Sequence, residues 1–469
     1  MPTTSLRRTP SSSGSDTTAT VSVWCKLTYS SSYHCIIGGN EGSSANDRSL
    51  FSISSDGNIY NQIVHGGTNY YQESTRQLRD HGAWYHIVIQ FDTSNGTQAD
   101  RIKTYVNNEL LTTWNVTASW PSSVPIKFWN ASNSPELMIG CRKSSANYQY
   151  FYDGVMAHMH IVDGTVYAPS KFAETDATTG EWVPLVNPEG VTYGTNGTFF
   201  KFEDVSDMDK DSSGNDLSYS TTGSLIQTED NPDNNFPTWN PLNHDYANTD
   251  SVYSNINNYA QAGANGAYNQ SVSTMAITRG SGKWYFECKY VANDGGVGGI
   301  GILDMDKQSE VFYQNRNLSD NSANTDIGRC VYYANGYSVI PGTENQSYGG
   351  SWTTGDIIGM AVDSDNGAVY FSKNGTWQNS GDPTSGATKT GAIDISAASW
   401  WTGAQFFGIY CGDNSSSGND SFAANFGNGY FQTTAVSTAQ SDDGSVGIFE
   451  YDVPASYRAL CTKNLATYG

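Results

Sequence analysis

The sequence predicts an all-β protein made of two β-sandwich domains in tandem. Short runs of alternating apolar and polar residues recur along the chain and are bounded by turn residues, whereas long windows with the 3.6-residue period of a helix are hard to find. Glycine (48), tyrosine (30) and tryptophan (12) are abundant, which also favours strands and turns. A length of 469 residues suits two sandwiches of about 200 residues each.

In the first half of the chain, this alternation predicts strands at residues 20–27, 34–38, 50–53, 58–60, 83–92, 102–109, 152–161 and 199–202. Polar turns such as Asp56-Gly57 separate them. The strand at 199–202 closes the first sandwich.

The second half is organised around a hairpin at residues 357–371. Asp365-Asn366-Gly367 turns the chain, and Asn374-Gly375 supplies a second tight turn, because positive φ angles are cheap for Asn and Gly. Further strands are predicted at 273–278, 284–291, 297–303, 329–333, 405–411 and 422–427.

Residues 223–243, GSLIQTEDNPDNNFPTWNPLN, contain three prolines and a run of Asp and Asn, a composition typical of a linker. We therefore predict a first sandwich at 1–222, a linker at 223–243, a second sandwich at 244–450 and a C-terminal tail at 451–469.

The charge of the chain limits its partners. There are 46 acidic residues against 24 basic ones, a formal net charge of −22, so we expect no binding to nucleic acid or to an anionic membrane surface. No window approaches the roughly 20 apolar residues of a transmembrane helix, so we expect no membrane insertion.

The N-terminal sequence MPTTSLRRTPSSSGS lacks the apolar stretch of a secretory signal. Seven scattered cysteines, odd in number, favour free thiols made in a reducing cytosol. No Cys or Cys/His group has zinc spacing, so we expect no structural zinc.

Two sets of motifs carry family resemblances. Residues 83–92 and 102–109 resemble the W-x-H-V-x-x-x-x-D and x-Y-x-N-G strands of laminin-G-like, concanavalin-type jelly rolls, with Asn108 where that family usually has glycine. Residues 152–161 resemble the closing strand of the same fold. This resemblance implies a concanavalin-like jelly roll in the first domain.

The second half resembles a SPRY domain. The similarity lies in GKWYFE at 282–287, in residues 298–302, in the GD-I-I-G and V-Y-F-x-K-N-G segments of the central hairpin, and in the N-F-G ending of 422–427. It implies a β-sandwich binding module without enzymatic activity.

A third resemblance spans essentially all 469 residues. The order LRRTPSSSG, DGxxAxxHxxDGxxYxPSxF, YGTNGxFFxFED, KDSSGND, DNNFPTWNPL and SYRALCTKNL is similar to that of a family of structural and tail-fibre-like proteins of marine tailed phages. It implies a virion protein, made in the cytoplasm of the host bacterium.

Catalytic signatures are missing from the sequence. Glycoside hydrolases need two carboxylates placed as acid and nucleophile or base, and the E-x-D-x-E strand signature is absent. The adjacent Glu203 and Asp204 would point to opposite faces of a strand. No G-x-S-x-G elbow is present, and packing or surface hydrogen bonding explains His86, His158 and His160, which fall within predicted strands. We therefore expect no enzymatic activity.

An acidic stretch before Gly214 has the alternating carboxylates of an oxygen-rich calcium loop. Its candidate metal ligands are Asp207, Asp209, Asp211 and Asp216. The alternative is a solvated acidic turn, because Lys210 lies within the cluster and no terminal Glu follows. Calcium is the only cofactor that the sequence suggests.

Aromatic and amide residues in predicted surface loops are candidates for ligand binding, since sugars stack on aromatic rings and hydrogen-bond to amides. The candidates are Tyr70, Tyr71, Trp129, Asn130, Tyr148, Tyr150, Tyr332, Tyr337, Trp377 and Asn414. The alternative for each is a core position or a subunit contact.

Two functional hypotheses remain. The first is a fibre, spike or knob that binds host surface polysaccharide. The second is an architectural protein that decorates a capsid or tail and binds only other virion proteins. In both cases we expect a homotrimer, because linked identical sites multiply avidity.

Overall fold

The computed structural model describes residues 3–42, 46–131, 135–242, 252–254, 258–261, 270–293, 297–307, 328–339, 346–403, 405–413 and 420–469. The chain forms two compact units, Met1–Gln227 and Thr228–Gly469. Each unit is built around two large antiparallel sheets. This confirms the predicted fold class, an all-β protein of tandem β-sandwiches.

The strands of the first unit are β1 (Ser5–Arg8), β2 (Thr18–Leu27), β3 (His34–Glu41), β4 (Arg48–Ile53), β5 (Asn58–His65), β6 (Thr68–Gln77), β7 (Tyr85–Asp92), β8 (Ile102–Val106), β9 (Glu109–Leu110), β10 (Trp114–Val116), β11 (Pro135–Ile139), β12 (Arg142–Ser144), β13 (Asn147–Gln149), β14 (Gly154–Asp163), β15 (Ala173–Thr175), β16 (Trp182–Pro184), β17 (Thr198–Phe200) and β18 (Ser220–Thr222). Short 3-10 helices lie at Gln98–Asp100 and Pro169–Lys171.

These strands form an eight-stranded sheet, in the order β10-β6-β5-β4-β3-β11-β1-β18, and a six-stranded sheet, in the order β17-β14-β2-β7-β8-β9. The core lies between them. Ile37, Phe51 and Ile63 enter it from the larger sheet, and Val23 and Ile89 enter it from the smaller one. Because side chains alternate along a strand, the intervening residues of the larger sheet face outward.

The turn between β8 and β9 explains the departure of Asn108 from the laminin-G-like pattern. Val106 pairs with Glu109, so the loop has two residues. Asn107 and Asn108 adopt φ angles of 47° and 67°, as both central residues of a type I′ turn must. Asparagine tolerates this left-handed conformation, and it therefore replaces the glycine without loss of the hairpin.

The strands of the second unit are β19 (Val252–Ser254), β20 (Tyr259–Gln261), β21 (Gln270–Thr278), β22 (Lys283–Ala292), β23 (Gly298–Asp304), β24 (Arg329–Tyr333), β25 (Tyr337–Val339), β26 (Gln346–Ser347), β27 (Ile357–Asp363), β28 (Ala368–Lys373), β29 (Thr376–Trp377), β30 (Ile393–Asp394), β31 (Phe406–Asp413), β32 (Ser421–Asn425), β33 (Tyr430–Phe431), β34 (Thr434–Ala435), β35 (Gln440–Ser441), β36 (Ile448–Phe449) and β37 (Arg458–Ala459). Helices α1 (Ser399–Gly403) and α2 (Thr462–Tyr468) and 3-10 helices at Met305–Lys307, Gln378–Ser380 and Pro383–Thr388 complete it.

The second unit also has two large sheets. One follows the order β19-β20-β32-β22-β27-β28-β29, with β30 on β28 and β37 on β22, and the other follows β21-β31-β23-β24-β25-β26. The predicted hairpin is present as β27 and β28, and Asp363 accepts hydrogen bonds from the backbone N–H groups of Asp365 and Asn366 in its turn. Asn374 and Gly375 have φ angles of 48° and 78°, as the predicted second turn requires.

The structure differs from the predicted linker. Residues 228–242 belong to the second unit. Trp239 is fully buried between its sheets, and Phe236 is buried against the outer face of the larger sheet. These two large aromatic side chains hold the segment against the second unit. Its prolines and polar residues form turns within this packed segment. Residues 223–227 belong to the first unit.

The predicted tail is likewise part of the second unit. Strand β37 pairs in parallel with β22, and Tyr457 and Cys461 are buried. The carboxylate of Glu287 accepts hydrogen bonds from the backbone N–H groups of Glu450 and Tyr451, which attaches the start of this segment to β22. Burial raises the pKa of Glu287 to about 7, against the opposing effect of these donors.

Within the described ranges, no helix has the length and apolar character that crossing a membrane requires.

Candidate functional site

The outer face of the eight-stranded sheet carries a group of partly exposed tyrosines. Alternation along β5 sends Ile59 and Ile63 into the core and leaves Tyr60 and Gln62 on the outer face. On the neighbouring strand, Tyr71 lies opposite Gln62 and therefore shares that face. Tyr33 precedes β3, and Tyr150 follows β13. We call Tyr33, Tyr60, Tyr71 and Tyr150 the tyrosine cluster.

The four rings are in continuous contact. Tyr33 stacks on Tyr150 with ring centroids 5.0 Å apart, and it meets Tyr60 edge to face at 5.7 Å. Tyr60 contacts Tyr71 at 5.3 Å. These separations are typical of favourable aromatic pairs. Because the rings hold one another, they form an ordered aromatic surface.

Hydrogen bonds from amide side chains fix the same face. The Gln62 side-chain amide donates to the Tyr60 hydroxyl at 3.0 Å and to Asn69 Oδ1 at 2.9 Å. Partial burial, followed by the neighbouring Tyr33 and Tyr71, raises the pKa of Tyr60 to about 12. Burial, followed by the charge of Glu73, also raises the pKa of Tyr33. Both phenols are therefore neutral at pH 7 and can donate as well as accept hydrogen bonds.

Two arginines flank the tyrosine cluster. The Arg142 guanidinium lies 3.9 Å from the Tyr150 ring centroid, a cation–π contact, and its Nη2 donates to Gln149 Oε1 at 3.2 Å. Arg48 Nε donates to Gln62 Oε1 at 3.1 Å. Burial and the positive charge of Arg142 lower the pKa of the Arg48 guanidinium. The outer face therefore combines stacked rings, amides and two cations.

A second group surrounds Tyr148, where the β12–β13 hairpin contacts Arg7 of β1 and Glu136 of β11 in the eight-stranded sheet. The Tyr148 hydroxyl donates to Glu136 Oε1 at 2.6 Å, and Lys143 Nζ lies 2.8 Å from Glu136 Oε2. The Arg7 guanidinium lies 4.3 Å from the Tyr148 ring centroid and 3.9 Å from the Glu136 carboxylate. Two cations thus share one carboxylate around Tyr148.

Among the binding residues predicted from the sequence, Tyr71 and Tyr150 lie in the tyrosine cluster. The prediction that Tyr70 and Tyr71 occupy a loop is wrong, since both lie in β6. Tyr70 points to the opposite face from Tyr71 and packs against the core. A run of adjacent tyrosines cannot all face a ligand from a strand, because the side chains alternate.

Burial corrects the predictions for Trp129 and Tyr332, because neither ring face is available for stacking. The Trp129 indole donates to the carbonyl oxygen of Ser15 with a short contact, and Tyr332 lies in the core of the second unit. Asn130 donates to Glu41 Oε1 at 2.9 Å and thus supports a buried ion pair.

The remaining predicted binding residues lie in the second unit. Tyr337 is 42 % exposed, and Trp377 is half-buried, with its ring centroid 6.4 Å from that of Tyr285. Asn414 lies outside the described residues. Among the described residues of the second unit, neither Tyr337 nor Trp377 joins an aromatic cluster comparable with that of the first unit.

Sequence reasoning missed Tyr33, Tyr60, Arg48 and Arg142. Tyr60 lies between Ile59 and Asn61 in a strand. The alternation of side chains along that strand was enough to predict that Tyr60 faces outward. Arg142 and Tyr33 are distant in sequence and meet through the pairing of β3 with β11, which no local pattern indicates.

The predicted calcium loop does not have the geometry of a metal site. Asp211 Oδ1 accepts from the backbone N–H groups of Phe199 and Ser213, and its Oδ2 accepts from that of Leu217. Asp209 accepts a hydrogen bond from Thr221. Across the described residues, no group of three or more His, Cys, Asp or Glu side chains could hold a metal ion. Asp207, Asp209, Asp211 and Asp216 therefore do not converge as ligands, and the alternative of an acidic turn is the better description.

Two buried histidines pack on the outer face of the six-stranded sheet. Trp182 Nε1 donates to His86 Nδ1 at 2.9 Å, and His86 Nε2 lies 2.8 Å from Ser22 Oγ. His160 stacks on Phe199 with ring centroids 3.9 Å apart. Burial, with a smaller contribution from His158, lowers the pKa of His86 to about 3. Burial lowers the pKa of His160 as well. Both imidazoles are therefore neutral in the folded protein and inaccessible to a substrate.

These histidines predict a loss of stability in acid. In the unfolded chain an imidazole takes up a proton below about pH 6.5, whereas His86 and His160 stay neutral in the fold. The stabilisation is thus present above pH 6.5 and is lost as pH falls towards the folded pKa, by up to about 1.4 kcal/mol per pH unit for each histidine. Denaturant unfolding of the full chain between pH 7 and pH 4 measures this slope. His160→Phe should reduce it, and an unchanged slope would contradict the assignment.

The comparison with protein families agrees with the architecture of the first unit. Residues 3–169 match a family described as the concanavalin A-like lectin/glucanases superfamily. This confirms the concanavalin-like character predicted for the first domain. None of the curated proteins compared with the chain matches it.

Solved structures with detectable likeness include the SPRY domain of human HERC1, with 15% identity over 40% of this chain and 96% of that chain and a TM-score of 0.28. They also include a heptameric SAP-like pentraxin from Limulus polyphemus. It has 16% sequence identity, the match covers 35% of this chain and 72% of the pentraxin chain, and the TM-score is 0.27. The CBM40 of the Ruminococcus gnavus IT-sialidase has 14% sequence identity. The match covers 34% of this chain and 93% of the CBM40 chain, and the TM-score is 0.26.

Proposed function

We propose that the protein is a non-enzymatic, glycan-binding component of a tailed-phage virion that attaches to polysaccharide on the host surface. The proposal rests on the tyrosine cluster. Its four side chains are partly exposed on the outer face of a sheet, and their rings pack against one another.

The chemistry of this face suits a sugar. A pyranose ring presents C–H groups on one side, which pack on an aromatic face, and hydroxyl groups at its edge, which need hydrogen-bond partners. Tyr71 and Tyr150 provide rings, and the exposed Asn69 provides an amide beside them. The rings are held by one another, so binding costs little side-chain entropy. The match of residues 3–169 to a lectin-containing superfamily supports the same interpretation.

The virion assignment rests on the whole-chain sequence resemblance to phage structural and tail-fibre-like proteins. In that setting the partners are other virion proteins and the host glycan. A homotrimer would present three tyrosine clusters, and linked weak sites gain avidity without new contacts. The absence of a glycosidase signature from the sequence supports a binding role without catalysis.

Substitution in the tyrosine cluster tests the proposal. Tyr71→Ala and Tyr150→Ala should each weaken binding of the purified protein to host envelope polysaccharide by up to about tenfold, since an aromatic contact contributes about 0.5–1.5 kcal/mol. The double variant should lose binding. Isothermal titration calorimetry and a glycan array provide the measurement, with the melting curve as a check on folding.

Tyr337→Ala is the matched control, an exposed tyrosine in the second unit. If Tyr337→Ala weakens binding and the cluster variants do not, the second unit holds the glycan. If no variant matters and imaging of particles finds the tyrosine cluster covered by neighbouring virion proteins, the role is architectural.

A further inference from the structure

We propose that the glycan bound at the tyrosine cluster is anionic and that its carboxylate or sulfate groups bind the guanidinium groups of Arg48 and Arg142. This inference rests on the proposed function, because it names the chemical class of ligand for the same site.

The first observation is the state of Arg142. Its guanidinium is stacked on Tyr150, and Nη2 donates to the neutral amide of Gln149. Within the described part of the chain, Arg142 forms no ion pair with a carboxylate. Stacking on a ring holds the planar fork in one orientation, and that fork matches the two oxygens of a carboxylate or sulfate.

The second observation is the nearness of another cation. Arg48 lies on the outer face of β4 and donates to Gln62, the residue that also holds Tyr60. Partial burial and the charge of Arg142 both disfavour the protonated form of Arg48. Two like charges that share a partly buried face repel each other, and a bound anion would relieve this repulsion.

The third observation is the contrast with the neighbouring charges. Around Tyr148, Arg7 and Lys143 lie 3.9 Å and 2.8 Å from the carboxylate of Glu136 and share it as an ion-pair partner. Glu73 lies opposite Tyr60 on the neighbouring strand, and its charge contributes to the raised pKa of Tyr33. Arg142, which is stacked on Tyr150, has no such carboxylate partner among the described residues.

The net negative charge of the chain makes the position of Arg48 and Arg142 beside the tyrosine cluster informative about the ligand. At −22, the protein as a whole repels polyanions, so an anionic ligand needs a local positive site beside its sugar contacts. A neutral glycan would need no cations here, and amides and phenols would serve it alone. The arginine pair therefore favours an anionic saccharide over a neutral one.

Binding measurements with three defined polysaccharides test the inference on the full chain. Polygalacturonate oligomers carry carboxylates, dextran sulfate oligomers carry sulfates, and dextran oligomers are neutral. We expect binding to one or both anionic ligands and at least tenfold weaker binding to them in Arg142→Met and Arg48→Gln, since hydrogen bonds to charged groups are the strong ones. The preference between the two anionic ligands identifies the acidic group.

Matched variants separate charge from packing. Arg142→Met keeps an unbranched side chain over the sheet, and Arg142→Lys keeps the charge without the planar fork, so lysine should restore part of the affinity. Lys103→Gln removes a cation that pairs with Asp100 on the other sheet and should leave binding unchanged. Raising NaCl from 50 to 500 mM should weaken binding of the anionic ligand to the unchanged protein more than to Arg142→Met.

The outcomes distinguish the two proposals. If dextran binds as well as the anionic ligands, and Tyr71→Ala weakens binding while Arg142→Met does not, the glycan site stands and its anionic character is overturned. If none of the three polysaccharides and no host envelope polysaccharide binds, both proposals fail.

Discussion

Replacing Trp239 by alanine is expected to lower the free energy of unfolding of the second unit by about 3–5 kcal/mol. Trp239 is fully buried, and its ring centroid lies 5.2 Å from that of Phe426 and 6.0 Å from that of Phe286. Its removal leaves a cavity between the two sheets that the surrounding side chains cannot fill. Guanidinium denaturation of the full chain, followed by tryptophan fluorescence and circular dichroism, measures the change.

Leu242→Ala is the control from the same segment, because Leu242 is 58 % exposed and its substitution should change stability by no more than about 0.5 kcal/mol. A Trp239→Ala protein that unfolds at the same denaturant concentration as the unchanged chain would show that residues 228–242 do not anchor the second unit.

Lys127→Ala is expected to destabilise the first unit by about 3–5 kcal/mol, because it leaves the buried Glu41 carboxylate and the partly exposed Asp47 carboxylate without this cation. The Lys127 side chain is only 4 % exposed, and its Nζ lies 3.2 Å from Glu41 Oε1 and 3.1 Å from Asp47 Oδ1. Partial burial opposes ionisation of Asp47, but the N–H of Gly66 and the Lys127 ammonium together lower its pKa. Urea denaturation at pH 7 gives the size of the effect.

Two further variants serve as comparisons for Lys127→Ala. Lys103→Ala removes a more exposed cation paired with Asp100 and should cost no more than about 1 kcal/mol. Combining Lys127→Met with Glu41→Gln removes the buried charge while the amide can still accept from Asn130, so it should recover part of the loss. A Lys127→Ala change as small as that of Lys103→Ala would mean that water reaches Glu41.

The two stability predictions concern residues that local patterns treat as solvent-facing. A segment rich in proline, Asp and Asn predicts a linker, and a lone lysine predicts an exposed side chain. In the fold, Trp239 occupies the core and Lys127 is enclosed with Glu41. Both outcomes depend on which distant surface covers the segment, and that information is not contained in the segment itself.

Local sequence patterns are enough to predict the fold class, the position of most strands and the tight turns. The reason is that side-chain alternation and the φ preferences of Asn and Gly are local. Strand β22, for example, spans Lys283–Ala292 where residues 284–291 were predicted, and Asn374-Gly375 turns as its residue types require. The match of residues 3–169 to the concanavalin-like superfamily agrees with motifs that were visible in the strand pair at 83–109.

Which residues share the candidate site depends on strand order and register, which no local pattern predicts. Tyr71 and Tyr70 are adjacent and chemically identical, yet one joins the tyrosine cluster and the other packs on the core, because the register of β6 on β5 fixes which side faces outward. Tyr33 and Tyr150 stack across more than a hundred residues of chain. Arg142 gains its place on Tyr150 from the pairing of β12 with β13. Contacts of this kind arise from strand order and register, which are set by burial of the whole sheet rather than by any short stretch of residues.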